Sequence, residues 1–220
     1  MFISGCSTQY QAISPSLSII DIPKLNEICS SELGETLVQK GKIFQYDAIQ
    51  LHNAINAKFA MVGFNVRLEP GILIATKRDK NFTCYSTDKF IDGSGNRYSG
   101  GIKINSYNED DVKTYWDDAL LFSPESKPDP KAIISKTKIN DLNSPNYKQE
   151  MIYNGKSGST LKFIYREISN NTLRAPFTQE VQYDLNESST IGFKGVRIDV
   201  IEATNTKIKY IVISSFPDAL

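Results

Sequence analysis

Leu161-Lys162-Phe163-Ile164-Tyr165-Arg166, followed by Glu180-Val181-Gln182-Tyr183-Asp184-Leu185, decides the fold class of this chain. In the first run Leu161, Phe163 and Tyr165 alternate with Lys162, Ile164 and Arg166; in the second Val181, Tyr183 and Leu185 alternate with Glu180, Gln182 and Asp184. Successive side chains of a strand point to opposite faces, so a period of two marks a half-buried strand with one wet face. Val196, Ile198 and Val200 alternate in the same way with Arg197 and Asp199, and Ile208, Tyr210 and Val212 with Lys207 and Lys209. Ala203-Thr204-Asn205-Thr206 between them reads as a hairpin turn, which pairs the last two strands antiparallel. Ala175-Pro176 falls between strands, where proline removes no ladder bond. Short strands spaced by turns predict a mainly β chain of antiparallel sandwich or small barrel units.

Toward the N-terminus the pattern is less regular. Asp21 to Ile28 reads as a short helix, with Asp21 as its cap, Pro23 in its first turn and Leu25 and Ile28 docking it. Glu35 to Leu51 is β-like, with Leu37, Val38, Ile43, Phe44, Tyr46 and Ile49 placed around an expected turn at Lys40-Gly41-Lys42. From Lys58 to Ala75 two strands are separated by a turn at Pro70-Gly71, and Phe82 to Tyr85 continues the pattern. Asn108 to Asp118 gathers five carboxylates around the single Trp. Glu109, Asp110 and Asp111 suit a first helical turn, and Val112, Tyr115 and Trp116 would form its apolar face. Ser123 to Pro130 holds three prolines in eight positions, which disfavours regular structure. The expected organisation is a leader and tether over 1–20, a β-rich domain over 21–122, a linker over 123–131 and an antiparallel β domain over 132–220.

The compartment is argued from Ile3-Ser4-Gly5-Cys6, an aliphatic residue and two small residues before a cysteine. This run resembles the lipobox of bacterial lipoproteins, and the resemblance implies that Cys6 becomes the lipid-modified first residue. Only five residues precede Cys6, fewer than a basic region and an apolar stretch of about 7–15 residues require, so the leader reads as shortened. Ser7 to Ser18 is uncharged and rich in Ser and Gln, the composition of a flexible tether. Ser7 after the lipidated position resembles the outer-membrane sorting pattern. Acyl chains contribute about 0.8 kcal/mol per buried CH₂, so two or more anchor a protein stably without a transmembrane helix. If Cys6 carries lipid, Cys29 and Cys84 remain, and an oxidising periplasm permits a disulfide between them worth about 4 kcal/mol.

The 25 basic and 25 acidic residues cancel, so no global field recruits nucleic acid. No CxxC, phosphate loop or dinucleotide fingerprint occurs, and His52 is the only histidine, so neither a metal nor a cofactor is expected. Asp92-Gly93-Ser94-Gly95-Asn96 carries oxygens suited to calcium but has Lys103 where a loop of that type needs a Glu; a hairpin tip explains the same residues. Ser135 to Lys138 and Ser159 to Lys162 match S-x-x-K inside β-like stretches, without the companion motifs that would give the match meaning. Arg166, Arg174, Glu180, Asp184, Arg197, Asp199 and Glu202 lie within a few strands of one another and read as a cross-strand ion-pair face. The expected function is a lipid-anchored outer-membrane protein that binds or supports an envelope protein or glycan without catalysis. The alternatives are a glycan hydrolase using Glu180, Asp184 and Asp199, or a surface-exclusion factor.

Overall fold

The computed structural model describes residues 9–59, 64–117, 125–170 and 177–218. Among them the regular structure is strand throughout. In chain order β1 is Gln11–Ala12, β2 Ser16–Ile22, β3 Ile28–Glu32, β4 Thr36–Leu51, β5 Ile55–Phe59 and β6 Phe64–Leu68. Then come β7 Gly71–Arg78, β8 Phe82–Asp92, β9 Arg97–Asn105, β10 Val112–Trp116, β11 Glu125–Ser126 and β12 Ile134–Asn140. The series ends with β13 Tyr147–Ser157, β14 Thr160–Ser169, β15 Phe177–Asp184, β16 Thr190–Phe193, β17 Val196–Ala203 and β18 Lys207–Ser214. Two compact units form, one from the described residues of Met1–Ser16 with Gln45–Asn140, the other from Leu17–Phe44 with the described residues of Asp141–Leu220. β4 supplies strand to both.

The unit holding the C-terminus is an antiparallel sandwich. One sheet runs β15-β14-β13-β4 and the other β16-β17-β18-β3. The alternation legible in the sequence fills the space between them: Leu161, Phe163 and Tyr165 are fully buried and meet Ile198, Ile208, Tyr210 and Val212 from the facing sheet. Burying side chains of this size stabilises by about 1.5–3 kcal/mol each. Polar tips of aromatic core residues need partners. The Tyr210 hydroxyl donates to the Leu37 carbonyl at 2.9 Å, and the Tyr153 hydroxyl to the Thr204 carbonyl, so each phenol ties one sheet to the other.

In the other unit β11-β10-β9-β8-β7-β4 are successive neighbours, with β12 on β4. β8 changes partner along its length. Thr83 to Ser86 pair with β7, Phe90 to Asp92 pair with β6, and a register shift between Thr87 and Phe90 marks the change while β9 follows both halves. The β5–β6 hairpin is thereby joined to the sheet, and Ile49, Leu51, Ile55, Phe59, Leu68, Phe90 and Ile102 pack into one core.

Several expectations are corrected. The run from Ser7 to Ser18, read as a flexible tether, enters the fold: β1 pairs with β7, and β2, which begins at Ser16, pairs with β4. Asp21–Ile28 is not helical: β2 ends at Ile22, and the chain turns through Asn26, at φ 62°, into β3, which pairs with β18. Lys40-Gly41-Lys42 is no turn but the middle of a 16-residue strand. A Cβ on Gly41 would stand 2.4 Å from the Tyr147 carbonyl oxygen, so the glycine permits close approach to β13 rather than chain reversal. Asn108 to Asp111 forms a turn and Val112–Trp116 a strand, with Val112 and Trp116 against the core. Val112 and Trp116 share a face at either the helical or the strand period, and the strand pairing with β9 decides between them. The proline-rich stretch is part of its unit: β11 pairs with β10, and Asp129 bridges Asn56. Lys103, 3% exposed, meets Glu125 there. Among the described residues no helix is long and apolar enough to cross a membrane.

Gly100 and Gly101 lie where β9 is pinched between β8 and β10. A Cβ on Gly101 would stand 2.0 Å from the Tyr85 carbonyl oxygen, whereas one on Gly93 would meet nothing within 4 Å. Gly101→Ala should therefore cost about 1–3 kcal/mol in urea unfolding. Gly93→Ala should stay within about 0.5 kcal/mol of the parent, and equal effects of the two would refute the pinch.

Candidate binding cleft

A cleft lies in the unit built on β8. It has a volume of about 670 Å³ and is lined by Thr83 and Tyr85 from β8, Ile104 and Asn105 from β9, Ser106, Glu109 and Asp110 from the turn after β9, and Ile134 and Lys136 from β12. That turn is shaped by its own Asn side chains. The Asn105 amide donates to Asp111 at 3.1 Å and its carbonyl oxygen accepts from the Tyr107 N–H at 2.9 Å, while Asn108 accepts from the Asp110 N–H at 3.2 Å. Such local bonds satisfy the backbone without a helix, and they set Glu109 and Asp110 on the rim.

The charges of the rim are matched. Lys136 pairs with Glu109, and Lys131 stands 3.8 Å from Asp110. The hydrogen bond that Lys136 donates to Glu109 holds its ammonium above the usual pKa. Both partners of the Lys136–Glu109 pair are 69% exposed, and pairs in that setting contribute only about 0–1 kcal/mol, so the pair can rearrange around a ligand at little cost. Deeper in, burial raises the Tyr85 phenol above its ordinary value, with Asp47 adding to the shift, and the ring packs beside the core. The hydroxyl is therefore a neutral donor at neutral pH.

His52 and Ser135 do meet, with Nε2 2.8 Å from Oγ. Ser135 alternates with Ile134 and Lys136 along β12, so this pair faces away from the cleft. Ser159 lies in the turn between β13 and β14, away from any such pair. The three carboxylates of the hydrolase alternative are not gathered. Glu180 and Asp184 alternate with core-packed Val181 and Tyr183, and Asp199 with core-packed Ile198 and Val200. They project outward from opposite sheets of the sandwich, with the core between them. Asp184 accepts from the Asn186 N–H at 2.9 Å, and Asp199 accepts from the Thr190 hydroxyl at 2.6 Å. Arg166 reaches Glu150 at 3.8 Å, a partner the sequence did not single out, and Arg174 lies outside the described residues.

The lipid-attachment candidate Cys6 also lies outside the described residues. Cys29 and Cys84 are free thiols carried on β3 and β8, strands of different units. Burial pushes the Cys84 thiol up to about 11, and burial with Glu27 nearby raises Cys29. Trp116, read from the sequence as part of an apolar face, packs beside the core, its ring centroid 5.5 Å from that of Tyr98. The Asp92 to Asn96 stretch is the β8–β9 hairpin tip. Asp92 Oδ1 accepts from the N–H groups of Ser94 and Asn96, and Oδ2 from the Asn96 amide and the Tyr98 hydroxyl, which together draw its carboxyl down to about 2. Among the described residues no group of three or more His, Cys, Asp or Glu could hold a metal ion.

Glu109, Asp110 and the neighbourhood of Lys136 stand out in the sequence, whereas Thr83, Tyr85, Ile104 and Ile134 do not. Nothing in the sequence signals that β8 and β12 border one space. No protein-family model matches the chain, and neither a curated protein nor a solved structure matches it.

Two outcomes test this geometry. Because the folded pKa of Asp92 is depressed, its stabilising effect is complete above the unfolded value of about 3.9 and is lost as pH falls through about 2. An NMR titration should place its midpoint there, and Asn96→Ala should move the midpoint upward. In a Cys6→Ala chain, a thiol reagent at pH 8 should reach Cys29 slowly in the native state and Cys84 only after denaturation. Native reaction of both at equal rates would contradict the burial of Cys84.

Proposed function

We propose that this protein is a bacterial envelope lipoprotein, held to the outer membrane by acyl chains on Cys6, whose β body binds another envelope component, a protein or a glycan, without transforming it. The observation that carries the reading is Ile3-Ser4-Gly5-Cys6, which resembles a lipobox. An anchor of this kind requires no apolar helix. Further support comes from a cleft whose charges are paired at its rim, an arrangement suited to recognition. A two-carboxylate glycan hydrolase needs its acid and base about 5–10 Å apart across a cleft. Glu180 and Asp184 face outward from one side of the sandwich and Asp199 from the other, which weighs against that alternative.

Cells expressing the full-length gene and its Cys6→Ala variant, grown with labelled palmitate, test the anchor. Label in the parent and none in the variant, with the parent in outer-membrane fractions, is the expected result. Absence of label in both would remove the premise.

A further inference from the structure

We propose that the cleft between β8, β9 and β12 is a carbohydrate-binding site, taking a short uncharged oligosaccharide whose ring stacks on the exposed part of Tyr85. That the sugar comes from the envelope rests on the anchored reading above; that the cleft binds sugar rests on its lining alone. At about 670 Å³ the cleft falls within the range of small-ligand pockets, with room for roughly two sugar rings.

The lining excludes other ligand classes by charge and polarity. A cation would need a carboxylate without a partner, yet Glu109 is paired with Lys136 and Asp110 lies near Lys131. An anion would need an uncompensated ammonium, and the same pairs deny it one. A wholly apolar ligand would strip water from two ion pairs and from the Thr83 and Ser106 hydroxyls, a cost that an apolar molecule cannot offset. A sugar ring has the complementary pattern: an apolar C–H face and a perimeter of hydroxyls that both donate and accept. The C–H face fits the Tyr85 ring with Ile104 and Ile134 beside it. The perimeter fits Glu109 and Asp110, which accept from hydroxyls through charge-assisted bonds, and Lys136, which donates. A hydroxyl can accept from Lys136 and donate to Glu109 together, so neither charge loses its counterpart, whereas a cation or an anion would replace one partner and leave the other uncompensated.

The test uses the full chain carrying Cys6→Ala, unlipidated, with cellotriose and N,N′,N″-triacetylchitotriose as probes and NMR amide shifts as readout. At least one trisaccharide should shift the amides around Tyr85, Ser106 and Lys136, and Tyr85→Ala should weaken its binding about tenfold. Since Tyr85 also packs beside the core, a second variant is needed. Ser106→Trp, at an exposed position on the cleft wall, should block binding with the melting temperature unchanged. No shift from either sugar at about 10 mM, or binding that survives in both variants, overturns the proposal. Palmitate labelling is read independently: a labelled Cys6 without sugar binding ends this inference and leaves the anchor standing. Sugar binding with an unlabelled Cys6 supports the inference and ends the anchor.

Discussion

The pairing of β3 with β18 is the constraint on which the sandwich depends, since residues 28–32 must find residues 207–211 before the second sheet has its fourth strand. Closing so long a loop costs conformational entropy that only a buried core can offset. Tyr210 shows how the structure meets that cost. Its ring lies in the core, and its hydroxyl sits 3.3 Å from the Ser31 hydroxyl on β3 and donates to the Leu37 carbonyl on the facing sheet. One phenol thus satisfies its own polar tip, marks the register of β3 and joins the two layers. Ser31, 7% exposed, is buried for the same reason.

In the other unit the governing device is the change of partner along β8. A strand bound to the same neighbour throughout would leave the β5–β6 hairpin without a place in the sheet. The register shift between Thr87 and Phe90 turns the second half of β8 toward β6, and β9 follows because Gly100 and Gly101 carry no side chain at the point of closest approach. The cleft depends on the same stretch, since Thr83 and Tyr85 precede the shift and the turn after β9 supplies its rim. Fold and candidate site therefore share Tyr85, whose carbonyl stands against Gly101 and which lines the cleft.

Charge is handled differently at the surface and in the interior. On the cleft rim the pairs are exposed and weak, which suits groups that exchange partners with a ligand. Lys103 and Glu125 form a pair in which the lysine is buried, and Lys103 also stands 4.5 Å from the Phe82 ring centroid. Removing one partner there would leave an uncompensated charge in a low-dielectric setting, so this pair fastens β11 to the sheet rather than serving recognition.

What the sequence by itself determined is the class of fold and the faces of its strands. Leu161, Phe163, Tyr165, Ile198, Ile208 and Tyr210 are buried where a period of two places them, because alternation is a local property of an extended backbone. The hairpin tips at Asp92 to Asn96 and around Ala203 to Thr206 were legible for a similar reason, since turn residues act through their own neighbours. Tertiary structure alone decided the rest. Gly41 reads as a turn until the Tyr147 carbonyl is found 2.4 Å from its missing Cβ, and Val112 and Trp116 share a face at either period until β9 pairs with them. Cys29 and Cys84 stand on strands of different units, and Tyr85 borders the same cleft as Lys136. Each of these depends on which distant strand lies alongside, and strand pairing is chosen by the burial and hydrogen bonding of the whole unit, which no local run of residues encodes.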